Sequence, residues 1–368
     1  MHNLCTCFDI EGEIPVATLI LEDGSRFEGT LFGHKQPVTG EVVFTTGMCG
    51  YQEAMTDPAY SGQIVCMTYP LTGNVGINDL DFESDGVKLA GMVVSELCEL
   101  PSNWQLKKTL DQYLDEQGVT GLYGVDTRAL TRCLRTHGAM RGRIAAGEGE
   151  TADAEAAKRY EKHDHVLGVT CGEAYTIGGK GDLEIAVLDL GMKKSTTKWL
   201  ERSCAKITVY PAMTAADEIL AGGCGGVLIS GGPGNPADYP QIVETVKALM
   251  GKKPVMGVGL GHLMMALAAG AETEKMLYGH HGANQPVKDL SRGTCAVTGQ
   301  AIGYAVKADS LPEGVTVSHI NWNDKTVEGL RYEGRDAFSV AFIPAGLGGP
   351  FDTTYLFDDF LAMVRDAK

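Results

Sequence analysis

The sequence predicts a two-domain α/β protein, in which a domain of strands, turns and short helices precedes a doubly wound domain. Its 368 residues exceed what one hydrophobic core usually organises, and 44% of them are apolar, enough for two cores. The pattern also changes along the chain, from strands separated by turns to apolar strands alternating with amphipathic helices. We therefore expect an N-terminal domain over 1–150, a linker over 151–181 and a second domain over 182–368.

The N-terminal domain begins with a hairpin pattern and continues with isolated strands and helices. The predicted elements are strands at 17–21 and 26–31 around a turn at 22–25, a glycine-rich turn at 71–76, a strand at 91–94, and helices at 109–117 and 126–137. In the last helix either Asp126 or Thr127 can cap the first turn, and Leu130 and Leu134 belong to the buried face.

The second domain alternates strands with helices. Its predicted strands are 184–190, 206–210, 226–229 and 254–258, and the helices between them are 194–202, 215–220 and 237–250. An antiparallel portion at 294–306 and 337–342 precedes a terminal helix at 354–368. Such alternation is typical of a parallel sheet with crossover helices, and ligands of such a sheet bind beyond the carboxyl ends of its strands.

The composition excludes several classes of partner. The formal net charge is −16, whereas binding nucleic acid through its phosphates needs a clustered basic face, so we expect no nucleic-acid partner. No window has the roughly 18 uninterrupted apolar residues of a membrane span, so we expect no membrane partner. Residues 1–12 lack the features of a secretory signal, which favours a cytoplasmic location.

The cysteines are expected to be reduced. Ten of them are scattered along the chain without a CxxC pair, a distribution that favours free thiols in a chain of this length. For the closely spaced Cys5 and Cys7, an ordinary N-terminal tail is the better interpretation than a metal site. We therefore predict no metal in this chain.

Two strand-to-loop junctions are candidates for a functional site. Residues 228–236 are glycine-rich at the end of a predicted strand, which suits either close backbone approach to a ligand or a tight turn. Residues 256–262 have the spacing of a nucleophile elbow, G-x-Nuc-x-G, in which a strained turn raises one side chain above the sheet. The middle residue is Gly259, which carries no nucleophile.

The order of several motifs resembles a known family. The N-terminal motifs are GMCGYQE at 47–53, TDPAYSGQIV at 56–65, TYP at 68–70, GNVG at 73–76 and VDTRALTR at 125–132. Together they resemble the small subunit of carbamoyl-phosphate synthetase. The later motifs, similar to those of class I glutamine amidotransferases, are SGGPGNP at 230–236, GVGLGH at 257–262 and GHHGANQPV at 279–287. The similarity extends over residues 15–366.

The resemblance implies a β/α small-subunit domain followed by a flavodoxin-like class I glutamine amidotransferase domain. It further implies a glutaminase with a Cys-His-Glu triad, which sends ammonia through a tunnel to a large ATP-dependent synthetase subunit for pyrimidine or arginine synthesis. The large subunit is then the expected partner. ATP and magnesium belong to that subunit, so no cofactor is expected in this chain.

Carried over to this sequence, the triad is missing. The nucleophile falls at Gly259, and the His-Pro-Glu segment of the family falls on Ile343 and Ala345. The positions that would hold glutamine through polar side chains are Ala59, Leu263 and Ala301. The backbone-type positions that still fit are Gly232, Gly234, Leu260, Gly303 and Tyr304. A pocket without these polar partners should bind glutamine poorly, and no acyl-enzyme forms without a thiolate.

No other residue is expected to replace the triad. Because no elbow motif surrounds them, small buried thiols are the preferred interpretation of Cys49, Cys66 and Cys224. Packing roles are preferred over metal or base roles for His262, His280 and His281. Residues 263–267 have the pattern of a core-facing helix.

Three functions remain open. The leading hypothesis is a non-hydrolytic small chain that pairs with the large subunit and supports carbamoyl phosphate formation from free ammonia, for which the missing side chain at Gly259 leaves an opening. The second is a free-standing binding or regulatory protein without a synthetase partner. The third is an active glutaminase with displaced catalytic residues.

Overall fold

The computed structural model describes residues 16–145, 154–158, 164–346 and 349–367. They form an N-terminal barrel and a larger C-terminal sheet with helices on its faces, so the predicted α/β class is confirmed. Cys5 and Cys7 lie outside the described residues. All cysteines within them are free, as predicted.

The N-terminal domain is a closed β-barrel flanked by short helices. Its strands are β1 (Val16–Leu21), β2 (Arg26–Gly33), β3 (Val38–Thr45), β4 (Gln63–Met67), β5 (Leu71–Thr72), β6 (Gly91–Val93), β7 (Glu96–Leu97), β8 (Thr120–Tyr123) and β9 (Met140–Ala145). Its helices are α1 (Tyr51–Met55), α2 (Leu110–Glu116), α3 (Thr127–His137) and α4 (Ala154–Lys158). The barrel order is β1-β2-β8-β6-β4-β3-β9, and β5 pairs with β7 outside it.

Local sequence explains where the barrel helices begin. At α2, the Thr109 side chain accepts a hydrogen bond from the Gln112 N–H, and the Gln112 side chain accepts one from the Thr109 N–H, which forms a capping box. At α3, Asp126 is the cap, because its carboxylate accepts from the Ala129 N–H at 2.8 Å. Leu130 and Leu134 of α3 are buried, as predicted.

The second domain is built on one long sheet. Its strands are β10 (Tyr175–Gly178), β11 (Leu183–Asp189), β12 (Cys204–Pro211), β13 (Gly226–Ile229), β14 (Val255–Val258), β15 (Thr273–Asp289), β16 (Cys295–Val306), β17 (Val315–Asn321), β18 (Val327–Tyr332) and β19 (Ala337–Val340). Its helices are α5 (Lys194–Leu200), α6 (Ala216–Ala221), α7 (Pro240–Leu249), α8 (Leu260–Ala269) and α9 (Tyr355–Asp366). Among the described helices, none is both long and apolar enough to cross a lipid bilayer.

The strand order is β10-β12-β11-β13-β14-β19-β18-β16-β15-β17. Along β11 successive side chains alternate between two buried clusters, Ile185 and Val187 facing one and Ala186 and Leu188 the other. A strand that is apolar on both faces is typical of a parallel sheet covered by helices on both sides. The doubly wound architecture predicted for this domain is therefore present.

Two segments differ from the sequence-based assignment. The sequence placed 337–342 in an antiparallel portion, but β19 is parallel to β14 on one side and antiparallel to β18 on the other. The expected linker, 151–181, contains α4 and also β10, which pairs antiparallel with β12 at the edge of the sheet. Pairing between strands distant in sequence leaves no trace in a local hydrophobic pattern, which explains both differences.

The two domains meet along β3 of the barrel and β15 of the sheet. The Lys275 ammonium donates to the Glu41 carboxylate at 2.7 Å, and the Thr46 N–H donates to the His281 carbonyl at 3.1 Å. The Ala139 N–H likewise donates to the Leu277 carbonyl at 2.7 Å. These contacts set the barrel beside the carboxyl ends of the parallel strands.

Candidate functional site

Four parallel strands end at the same edge of the second-domain sheet. β11, β13, β14 and β19 are neighbours with parallel pairing throughout. The segments that follow them therefore converge, as expected for ligand sites in doubly wound sheets. Three of these segments begin at Ser230, Gly259 and Ala341.

The turn at Gly259 has the geometry of a nucleophile elbow. Gly259 joins β14 to α8 with φ 56° and ψ −117°, and its N–H donates to the Val340 carbonyl at 2.9 Å. This is the strained strand-to-helix turn that the motif predicts. A Cβ at this position would meet the Gly231 Cα at 3.4 Å as its nearest neighbour, which is ordinary contact. The backbone therefore leaves room for a side chain that the sequence does not supply.

The positions of the general base and its orienting partner are apolar. Ile343 is half-buried, its N–H donates to the Gly299 carbonyl at 2.9 Å, and its side chain lines the same recess as Gly259. Ala345 is fully buried in an apolar cluster that includes Phe342. Neither side chain can accept or orient a proton, so the elbow has no partner for acid–base chemistry at these positions.

The positions that the resemblance assigns to glutamine binding lie together. One recess with an empty volume of about 570 Å³ is lined by Ala59, Gly232, Gly234, Leu260, Leu263, Ala301, Gly303 and Tyr304. We call it the outer recess. The barrel contributes Ala59 from the turn Pro58–Tyr60, and β16 contributes Ala301, Gly303 and Tyr304. The outer recess is therefore formed by both domains.

A second recess contains two of the three triad positions. It is lined by Gly259 and Ile343, and it shares Ala59, Gly232 and Ala301 with the outer recess. We call it the elbow recess. At Gly232 a Cβ would lie 2.0 Å from the Leu190 carbonyl oxygen, so only glycine fits there. The two recesses adjoin at Ala59, Gly232 and Ala301, which line both of them.

The outer recess also has a polar wall that was not predicted from the sequence. Glu41 and Gln63 are register partners on the parallel strands β3 and β4, and the Gln63 amide donates to Glu41 at 2.8 Å. Burial alone would raise the pKa of Glu41, but the charge and hydrogen bond of Lys275 outweigh it and hold this pKa below its ordinary value. Glu41 and Gln63 are 22 positions apart, and their pairing follows from tertiary structure, which a local pattern does not contain.

His281 completes that wall. It is 5% exposed, and neither of its ring nitrogens has a hydrogen-bond partner among the described residues. Burial lowers the pKa of His281 to about 4, so the ring is neutral at pH 7. Its ring lies 5.5 Å from that of Tyr60, centroid to centroid. The packing role predicted for His281 is present, and the ring also borders the recess.

A buried ion cluster joins the domains beside the elbow recess. Lys193 Nζ lies 2.8 Å from Asp57 Oδ2 and 3.6 Å from Glu83 Oε1, and all three side chains are largely buried. Burial alone would lower the pKa of Lys193, but Asp57 and Glu83 outweigh it and raise this pKa above its ordinary value. Lys193 and Asp57 also line the elbow recess. The only full charges bordering that recess within the described chain are thus already paired.

The other two candidate histidines are held inside the second domain. His262 is fully buried, its Nδ1 lies 2.8 Å from Ser339 Oγ, and burial lowers its pKa to about 3. His280 Nε2 lies 2.8 Å from Asp324 and its Nδ1 lies 3.1 Å from Glu328. Burial opposes protonation of His280, but hydrogen bonds and charges of these carboxylates raise its pKa to about 9. Both have the structural surroundings predicted for them.

No cysteine among the described residues lines the elbow recess, so none of them replaces the missing nucleophile there. Cys66 and Cys224 are buried, and burial raises the pKa of both thiols, that of Cys66 to about 12. The prediction of a buried thiol was wrong for Cys49, which is exposed because it lies in the loop between β3 and α1. Cys49 borders a third recess, lined also by Gly282 and Gly299, but it does not border the elbow recess.

Comparisons with known proteins agree with this architecture. Residues 19–144 match the family model for the carbamoyl-phosphate synthase small chain, CPSase domain, and residues 186–363 match that for class-I glutamine amidotransferase. The chain is 46% identical over 351 residues to the carbamoyl phosphate synthase small chain of Bacillus caldolyticus, covering 95% of this chain and 96% of the relative.

Other relatives give the same result. The pyrimidine-specific small chain of Bacillus subtilis is 45% identical over 355 residues, covering 95% of this chain and 96% of the relative. The small chain of Listeria monocytogenes is 44% identical over 353 residues, covering 94% and 96%. Identity at this level over nearly the whole length places the chain in the carbamoyl phosphate synthase small-chain family, to which it therefore belongs.

Proposed function

We propose that this chain is a cytoplasmic carbamoyl phosphate synthase small chain that no longer hydrolyses glutamine. In this proposal it pairs with the large ATP-dependent subunit, which forms carbamoyl phosphate from free ammonia for pyrimidine or arginine synthesis. The observation that carries the proposal is the elbow at Gly259. The turn keeps its strained geometry and room for a side chain, yet it presents no nucleophile.

Chemistry and binding energy both argue against glutamine as a substrate. Covalent hydrolysis needs a thiolate within reach of a base, and Gly259 and Ile343 provide neither. The outer recess also offers apolar side chains at Ala59, Leu263 and Ala301. Each polar group of glutamine buried there without a partner costs about 1–3 kcal/mol. We expect weak glutamine binding and no turnover.

An ammonia route is compatible with the shape of the site. Ala301 lines the outer recess, the elbow recess and the third recess, so these three spaces adjoin at one small side chain. Glycine at 259 and alanine at 301 leave the connection less obstructed than larger side chains would. We infer that small neutral molecules such as ammonia pass between the recesses here.

The barrel offers a surface for the large subunit. Leu80 and Leu100 are 60% and 89% exposed, and Trp104 is 89% exposed. The loops that carry them are held together by the pairing of β5 with β7 and by the hydrogen bond from the Ser102 N–H to the Asn74 carbonyl at 3.1 Å. Large apolar side chains exposed on adjacent loops are typical of protein–protein contacts.

The direct test is reconstitution with a large subunit and comparison of two nitrogen donors. We expect carbamoyl phosphate synthesis with ammonium chloride and none above background with glutamine. The large subunit alone and its complex with an active small chain are the controls for the two donors. Glutamine-dependent synthesis at the rate of the active control would refute the proposal.

A second candidate, a free-standing binding protein, is favoured by one observation. Gln63 and His281 line the outer recess and have buried polar atoms without hydrogen-bond partners among the described residues, and a ligand other than glutamine would have to displace their neighbours to reach these atoms. Co-purification decides between the two functions, because a stable complex with the large subunit supports pairing and its absence supports the free-standing protein.

A further inference from the structure

A cysteine, a histidine and an aspartate converge on the outside of the barrel. Cys133 Sγ lies 3.8 Å from His137 Nδ1 and 3.9 Å from Asp23 Oδ2, and the three atoms lie within 4.8 Å of one another. None of the three residues lines the recesses of the candidate functional site. We propose that Asp23, Cys133 and His137 bind a thiophilic divalent cation of the zinc class.

The distances suit a tetrahedral ion. With a zinc–sulfur bond of about 2.3 Å and zinc–nitrogen or zinc–oxygen bonds of about 2.0–2.2 Å, the ligand atoms of a tetrahedral site lie roughly 3.5 Å apart. The two separations from Cys133 Sγ exceed that by only a few tenths of an ångström. All three ligand atoms lie within 4.8 Å of one another, so binding requires the exposed Asp23 and His137 side chains to move towards the ion.

The fold holds the three side chains in place. Cys133 and His137 are four residues apart on α3, so they share one face of the helix. Asp23 lies in the turn between β1 and β2, where its Oδ1 accepts a hydrogen bond from the Ser25 N–H at 2.8 Å. That bond orients the carboxylate and leaves Oδ2 directed towards Cys133.

The chemistry of the donors selects the kind of ion. A thiolate and an imidazole favour zinc or cobalt over magnesium or calcium, which prefer oxygen ligands. Binding releases the thiol proton, and the resulting thiolate with the Asp23 carboxylate balances the two positive charges of the ion. Asp23 and His137 are exposed, so the fourth position is open to water.

A bound ion would connect the first hairpin of the barrel to α3. Cys133 packs against the barrel core, whereas Asp23 is carried by the exposed β1–β2 turn. No metal was predicted from the sequence, because the three ligands are not close together in it. Asp23 and Cys133 are 110 positions apart and meet only in the folded barrel.

Cobalt titration tests the site on the full chain. Cys5 and Cys7 are changed to serine in every sample, so that a charge-transfer band cannot come from these two closely spaced thiols. We expect one equivalent of Co²⁺ to bind and to give a thiolate-to-cobalt charge-transfer band, which zinc then abolishes by displacement. We also expect zinc to raise the melting temperature.

Single substitutions identify the ligands. Cys133→Ser should abolish the charge-transfer band, and His137→Gln should weaken cobalt binding at least about tenfold. Cys295→Ser, which removes an exposed thiol elsewhere, should change neither the charge-transfer band nor the affinity for cobalt. The melting temperature without metal should be similar in all samples, because the substituted side chains are not fully buried. A band that survives in Cys133→Ser, or no band in the starting protein, would overturn the proposal.

Discussion

Gly259 and Gly232 are both close to the elbow, but they are glycine for different reasons. Gly259 has a positive φ and a Cβ there would make only ordinary contacts, whereas a Cβ on Gly232 would overlap the Leu190 carbonyl oxygen. We predict that Gly259→Ala lowers the free energy of unfolding by about 1–3 kcal/mol, the cost of this sparsely populated positive-φ conformation for a residue with a Cβ. Gly232→Ala should lower it more, because backbone must move. Denaturant unfolding measures the free energy of unfolding of each variant. Equal losses would show that a Cβ is accommodated no better at Gly259 than at Gly232.

Ile343 contributes as much as Gly259 to the predicted loss of glutamine hydrolysis. Gly259→Cys restores the thiol at the elbow, but Ile343 still provides no base to activate it. We predict that this variant releases no glutamate from glutamine above background. The variant should nevertheless take up one more label from a small alkylating agent than the unsubstituted protein, in which Cys49 and Cys295 are already exposed, and the extra label shows that the new thiol is accessible. Steady glutamate release by the single variant would mean that another group acts as the base.

Between elements, the contact of α5 with the barrel depends on one buried ammonium. We predict that Lys193→Met destabilises the protein by about 3–5 kcal/mol, because it leaves the buried carboxylates Asp57 and Glu83 without their counter-ion. The matched control is Lys194→Met, whose partner Asp85 is almost fully exposed and whose loss should change little. Thermal unfolding compares the stabilities of the two variants. A similarly small loss of stability in both would show that the ion cluster does not stabilise the domain contact.

Strands β15 and β18 are coupled through a histidine that is protonated at neutral pH. The folded-state pKa of His280 is about 9, above its ordinary value of about 6.5 in an unfolded chain. Its contribution to stability is therefore complete below about pH 6.5 and is lost as the pH rises through 9.

This linkage predicts a pH-dependent effect of substitution. His280→Gln should destabilise the protein most near pH 6, and the difference from the unsubstituted protein should shrink towards pH 9.5. His34→Gln, at an exposed ion pair, serves as the control. Denaturant unfolding across this pH range gives the differences, and a difference independent of pH would be evidence against a protonated His280.

At the scale of the whole molecule, the sequence predicted what local patterns determine. The hairpin around 22–25, the capped helix beginning at Thr127 and the strands leading to Ser230 and Gly259 were all recognisable from spacing and periodicity. The position of β19 in the sheet was not, because it is set by pairing with β14 and β18. The polar wall of Glu41 and Gln63 was missed for the same reason, since it borders the outer recess only after the domains pack.

The arrangement of the domains keeps the outer recess and the elbow intact while the reactive groups are absent. Backbone requirements explain the retained glycines, such as Gly232 packed on Leu190. Ala345 belongs to the apolar core, and the half-buried Ile343 adds an apolar side chain to the wall of the elbow recess, so neither brings an unpaired polar group into the site. This distribution of residues agrees with the proposed loss of glutamine hydrolysis.

The most direct test of this account is the rate of glutamate release from glutamine by the purified chain bound to a large subunit. Because no thiol, imidazole or carboxylate stands at Gly259, Ile343 or Ala345, we predict a rate equal to that of the large subunit alone. Release of glutamate well above that rate, together with a covalent adduct on this chain, would contradict the account.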